Sequence, residues 1–124
     1  MSNENHWSAT EQDRVTVVRL NDGHSTIYES QLVNLSGILD LAESVGPPWL
    51  VLDLTGTSYF GSAFIGFLIS VSNRIRERAG GRLALCGLSA FSRMALQSSK
   101  TDQLLELFDS QVDAVAALIA VRNE

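Results

Sequence analysis

The run Trp49-Leu50-Val51-Leu52-Asp53-Leu54, entered from Pro47-Pro48, is almost uniformly apolar. A strand with one face in water alternates apolar and polar residues, whereas a run apolar on both faces belongs to a central strand covered by helices on either side. The proline pair stops any preceding helix from running into it. Beyond it, Ile65, Leu68, Ile69, Ser72 and Ile75 recur at helical spacing, and Gly80-Gly81 closes that pattern. A buried strand followed by an amphipathic helix is the repeating unit of an α/β sheet with right-handed crossovers.

The rest of the chain fits the same scheme. Arg14-Val15-Thr16-Val17-Val18-Arg19-Leu20 is β-branched and closed by the turn residues Asn21-Asp22-Gly23. His24 to Tyr28 is expected to form a short extended piece pairing back on that strand. Leu32, Leu35, Ile38, Leu39 and Ala42 predict a helix ending near Gly46-Pro47. Arg82 to Cys86 predicts another strand, Ser89 a cap for a helix through Met94 and Leu96, Leu104 to Phe108 a last edge strand or else a helical turn, and Ser110 to Val121 a closing helix. The expected architecture is one α/β domain over residues 13–121, a mixed four- to five-stranded sheet with about four helices, behind a polar extension at 1–12. At 124 residues with 45% hydrophobic and 19% charged side chains, one core is expected.

A formal net charge of −5 argues against a nucleic-acid surface, which needs clustered Lys and Arg, and suits a partner with a basic face. No apolar run reaches the roughly 20 residues of a membrane helix, and the polar amino-terminal segment has no signal-like core, so a cytoplasmic protein is expected. Cys86, the single cysteine, sits in an apolar run and reads as an inert core thiol. His6 and His24 have no second ligand nearby in sequence, so no metal is expected. The glycines Gly56, Gly61 and Gly66 match neither the phosphate-binding loop nor the dinucleotide fingerprint, so no cofactor is expected. Ser62, His24 and Asp53 can be written as a triad, but the G-x-S-x-G elbow is missing and no enzyme is expected.

The residues that carry most functional information are Tyr59-Phe60-Gly61-Ser62-Ala63, between the central strand and its helix. A helix start leaves backbone N–H groups unpaired and carries partial positive charge, which suits a side-chain oxygen cap or a phosphate. Ser62 is therefore a helix cap, a phosphorylation site, or both. One of Tyr59 and Phe60 is expected in the core and the other outside. Gly61 and Gly66 are expected to permit a tight turn and close helix packing. Arg74, Arg76 and Arg78 read as a solvated face near a helix carboxyl end.

The strand Leu50 to Leu54 followed by Tyr59-Phe60-Gly61-Ser62, the segment Gly80-Gly81-Arg82-Leu83-Ala84-Leu85-Cys86-Gly87-Leu88-Ser89, and Asp102-Gln103-Leu104-Leu105-Glu106-Leu107-Phe108 together resemble the STAS domain of bacterial anti-sigma factor antagonists. The resemblance runs from about Arg14 to Leu118. It implies a non-enzymatic regulatory protein that binds an anti-sigma factor acting as a serine kinase, and it carries the family phosphosite onto Ser62. Gly61 stands where the family pattern has aspartate, and Ala63 and Phe64 also depart from it. The resemblance further implies that Tyr59, Phe60, Gly61, Ser62 and Ala63 contact the partner. The alternative is a constitutive scaffold or assembly module in which Ser62 only caps its helix.

Overall fold

Period-two alternation sorts the strand residues of this chain into two cores. In the computed structural model, which describes residues 2–3, 6–20 and 26–122, the strands Val15–Leu20 (β3), Trp49–Asp53 (β5) and Arg82–Cys86 (β7) lie side by side and parallel. Val18, Leu50, Leu52, Leu83 and Leu85 point to one face, and Val15, Val17, Trp49, Val51, Ala84 and Cys86 to the other. Both sets are buried, which is why the strand sequences are mostly apolar, with Thr16, Arg19, Asp53 and Arg82 as the polar positions.

Ser2–Asn3 (β1) and Trp7–Gln12 (β2) extend the sheet by antiparallel pairing, and Glu106–Phe108 (β8) adds a parallel edge, giving the order β1-β2-β3-β5-β7-β8. Thr26–Ile27 (β4) and Tyr59–Phe60 (β6) form a separate two-stranded parallel ladder. The helices Gly37–Ser44 (α1), Ser62–Arg76 (α2) and Ala90–Ser98 (α3) bring Ile38, Leu41, Phe64, Leu68, Val71, Ile75 and Leu96 onto the first face. Gln111–Arg122 (α4) covers the second with Ala114, Val115 and Leu118. A mixed sheet with helices on both faces agrees with the expected α/β domain.

Four local expectations differ. Residues 7–12, expected within a polar extension, instead pair with β3 along its length, and Trp7 is only 4% exposed. This strand is polar outward and held by backbone pairing, with the Trp7 ring packed beside Gly37, so hydrophobic content does not announce it. The piece before Tyr28 pairs with β6 rather than with β3, while the turn Asn21-Asp22-Gly23 and His24 lie outside the described residues. The helix expected from Leu32 opens as a 3-10 segment, Glu29–Leu35, before α1 begins.

On α2 the buried stripe is Phe64, Phe67, Leu68, Val71, Ser72 and Ile75, with Ile65 and Ile69 at its edge. The helix is apolar over most of its circumference, so the face offering two phenylalanines, with their larger area, wins the core.

Candidate functional site

Asp53 ends β5 and sets the geometry of the turn that follows. Its Oδ1 accepts from the Thr55 backbone N–H at 2.9 Å and from Thr55 Oγ1 at 2.6 Å, and its Oδ2 lies 3.5 Å from Arg19 Nε. A carboxylate folded back onto the residue two ahead is a local turn, and the arginine supplies a counter-charge for a side chain that is largely out of water. The chain then passes the buried Thr57, forms β6 and enters α2. Asp53→Ala removes the acceptor for both Thr55 groups and is expected to cost about 1–3 kcal/mol, read as a lower denaturation midpoint at unchanged slope.

Ser62 is the first residue of α2, and it is exposed. The cap position itself belongs to Gly61, with extended backbone (φ −89°, ψ 179°), and no side chain caps this helix. The reading of Ser62 as a cap is therefore corrected by one residue: a side chain at the first helical position lies past the point from which an oxygen reaches the free N–H groups. The Gly61 carbonyl accepts from the Phe64 and Ile65 N–H groups at 3.1 and 3.4 Å. Gly61 and Gly66 have open space where a Cβ would stand, so close packing is not why either is glycine.

Phe60 is buried and rests on Phe64, with ring centroids 5.0 Å apart, while Tyr59 is 39% exposed, which is the division expected from alternation. Ala63 is half-buried beside Ser62. Tyr59 packs at 4.9 Å against Phe91 of α3, which is itself 51% exposed. Ser89 fixes that approach: its Oγ accepts from the Ser92 N–H at 3.0 Å, as expected of a cap, and reaches the Ser58 carbonyl at 2.9 Å. The structure thus brings Tyr59, Phe60, Gly61, Ser62 and Ala63 together and adds Phe91 with the exposed Met94 one turn on. Sequence reasoning missed those two because it followed one loop. The signal was available in large apolar residues facing outward at i and i+3 on a short helix.

Cys86 is buried beside Asp53 in the β5–β7 pairing. Burial first, then the Asp53 charge and its hydrogen bond, push its thiol up from 9.0 to about 12. Alkylation of Cys86 by iodoacetamide near pH 8 is expected to be negligible in the folded protein and fast in denaturant. Because the folded value is raised, the unfolded chain releases this proton first: the thiol's contribution to stability is complete below pH 9 and is lost as pH rises toward 12.

The triad fails on geometry where it can be judged, since Asp53 is committed to Thr55 and Arg19, and His24 lies outside the described residues. The arginines expected on a solvated face are partly structural: Arg78 donates to the Ala42 carbonyl at 3.3 Å and to that of Val45, tying α2 to the end of α1. Among the described residues, no group of three or more His, Cys, Asp or Glu is placed to hold a metal.

A mixed sheet flanked on both faces, with a strand, a carboxylate-held turn and an exposed serine at a helix start, defines a small α/β domain whose free hydroxyl stands at the carboxyl end of its central strand. The STAS domain model matches residues 6–114, and the chain belongs to the STAS family. The fold is similar to that of an anti-sigma-factor antagonist (STAS) domain protein from Planctomyces limnophilus, at 26% identity and TM-score 0.86, covering 91% of this chain and 97% of that one. An anti-sigma factor antagonist from Mycobacterium paratuberculosis is 19% identical with TM-score 0.76, covering 95% and 98%. A Thermotoga maritima protein is 17% identical with TM-score 0.75, covering 90% and 93%; these last two likenesses are of fold. No curated protein matches the chain at a significant level. No helix among the described residues is long and apolar enough to cross a membrane.

Proposed function

We propose that this chain is a non-enzymatic regulatory protein, an anti-sigma factor antagonist that binds an anti-sigma factor with serine kinase activity and is switched by phosphorylation of Ser62. The observation that carries the reading is Ser62 itself: exposed at the first position of α2 and engaged in no cap, its hydroxyl is available to a kinase and has no structural duty to lose. Family membership and the likeness to the Planctomyces limnophilus protein support the class of partner.

The contact surface is Tyr59, Gly61, Ser62 and Ala63, with Phe91 at its border; Phe60, expected among the contacts, is buried and supports the surface from the core instead. A phosphate added here brings close to two negative charges to a chain already at −5, in a surface otherwise made of aromatic rings and a neutral hydroxyl. The kinase supplies the chemistry and this chain supplies the hydroxyl. The protein acts in the cytoplasm, away from nucleic acid and membrane.

Capture from native lysate with Ser62→Ala and Ser62→Asp baits tests this. A sigma-regulating kinase held by the Ala bait and lost by the Asp bait supports the switch. The same proteins on both baits would sink it and leave a constitutive scaffold.

A further inference from the structure

A strand that ends a sheet turns one side of its backbone to no neighbour. β8, Glu106–Phe108, pairs with β7 on one side, and among the described residues no strand pairs with it on the other. Such edges are commonly blunted by lysine, proline or a bulge, because unpaired N–H and C=O groups template a further strand. β8 contains neither lysine nor proline, and its length of three residues is what limits it.

The charge on this edge is already met. Glu106 pairs with Arg82, whose Nε lies 2.9 Å from Oε2, and Asp109, just beyond the strand, lies 3.3 Å from Nη2 of Arg93. In a chain of net charge −5, the strand therefore offers no free carboxylate to attract a basic partner and none to repel a second copy. Apolar side chains flank it: Leu104 is 49% exposed before the strand and Val112 is 75% exposed after it. Leu107 and Phe108 are half-buried, resting on opposite cores, so each keeps some surface in water.

We propose that β8 pairs antiparallel with β8 of a second copy, continuing the six-stranded sheet across a two-fold axis at Leu107. A two-fold contact needs a surface complementary to itself. With the axis at Leu107, the two Leu107 side chains stand opposite each other on one face of the sheet and Phe108 stands opposite Glu106 on the other, so no like charges are opposed. The same order carries Leu104 of each copy toward the start of α4 in the other, where Val112 stands in water. Three residues a side make few ladder bonds, so the dimer is weak and concentration-dependent, with a Kd on the order of 100 μM. The proposal is independent of the Ser62 switch.

Sedimentation velocity of the full chain, from about 10 μM to about 1 mM, tests the dimer, and two cysteine variants test its register. A reversible shift toward twice the monomer mass is expected, with Kd about tenfold weaker in Val112→Glu. That variant is expected to keep the wild-type thermal midpoint, because Val112 is exposed and a carboxylate suits the first turn of a helix. Under mild oxidation Leu107→Cys is expected to form an intermolecular disulfide much faster than Asp109→Cys, since the register sets the two 107 positions about 5 Å apart and the two 109 positions about 13 Å apart. Cys86 is buried and stays reduced in both. A chain still monomeric at millimolar concentration, which would leave the edge to an extended segment of another protein, overturns the proposal. So does a dimer unmoved by Val112→Glu, or cross-linking of Asp109→Cys as fast as that of Leu107→Cys.

Discussion

Gly87→Ala is expected to destabilise the fold by about 3 kcal/mol and to disturb the turn ahead of Ser62. Gly87 follows β7 with φ +71°, a left-handed conformation costing a side-chain-bearing residue about 1–2 kcal/mol. An added Cβ would stand 2.2 Å from Thr55 Oγ1, 2.8 Å from the Thr55 nitrogen and 3.0 Å from Asp53 Oδ1. Those are the partners in the turn after β5, and the backbone nitrogen cannot retreat without giving up its bond to Asp53, so a packing cost of about 1–3 kcal/mol is added. Gly80→Ala supplies the control. Gly80 has φ +75° but open space around its Cβ position, so only the conformational cost applies. Urea denaturation is expected to rank Gly87→Ala clearly below Gly80→Ala, and equal losses would show that Gly87 does not brace the turn.

Ser62→Asp is expected to leave the free protein as stable as wild type, or more stable by about 0.3–1 kcal/mol, while weakening the partner complex by about 3 kcal/mol, roughly a hundredfold in Kd. The two signs differ because the same charge meets two fields. In the free protein a carboxylate at the start of α2 faces the positive end of the helix; in the complex it meets a surface fitted to a neutral hydroxyl. Ser62→Ala is expected to change folding by less than about 0.5 kcal/mol, since the hydroxyl is exposed and caps nothing. Thermal unfolding of both variants beside calorimetric titration with the partner separates these effects. An Asp variant that binds poorly because it is partly unfolded would remove the argument for a switch.

Strand content was legible because the centres of β3, β5 and β7 are buried on both faces and say so in short apolar runs, Val17-Val18, Leu50 to Leu52 and Leu83 to Cys86. β2 was not, because a strand near the sheet edge that ends in the exposed Thr10, Glu11 and Gln12 draws on backbone pairing, which composition does not record. The same limit hid the β4–β6 ladder, two residues on each side. At the site, the division between Phe60 inside and Tyr59 outside followed from alternation. The cap did not: moving a helix start by one residue costs little in propensity, and it was enough to turn Ser62 from a capping group into a free hydroxyl. Phe91 reaches Tyr59 only through the crossover that sets α3 beside β6, and the bond from Ser89 to Ser58 that secures it joins residues far apart in the chain.

The reading turns on whether phosphate on Ser62 and occupancy of the partner site exclude each other. The deciding measurement is phosphopeptide mass spectrometry of protein drawn from its own cells, separated first into partner-bound and free pools. Phosphate on the Ser62 peptide of the free pool and its absence from the bound pool is the expected result. Equal phosphate in both pools, or none in either across growth conditions, would contradict it.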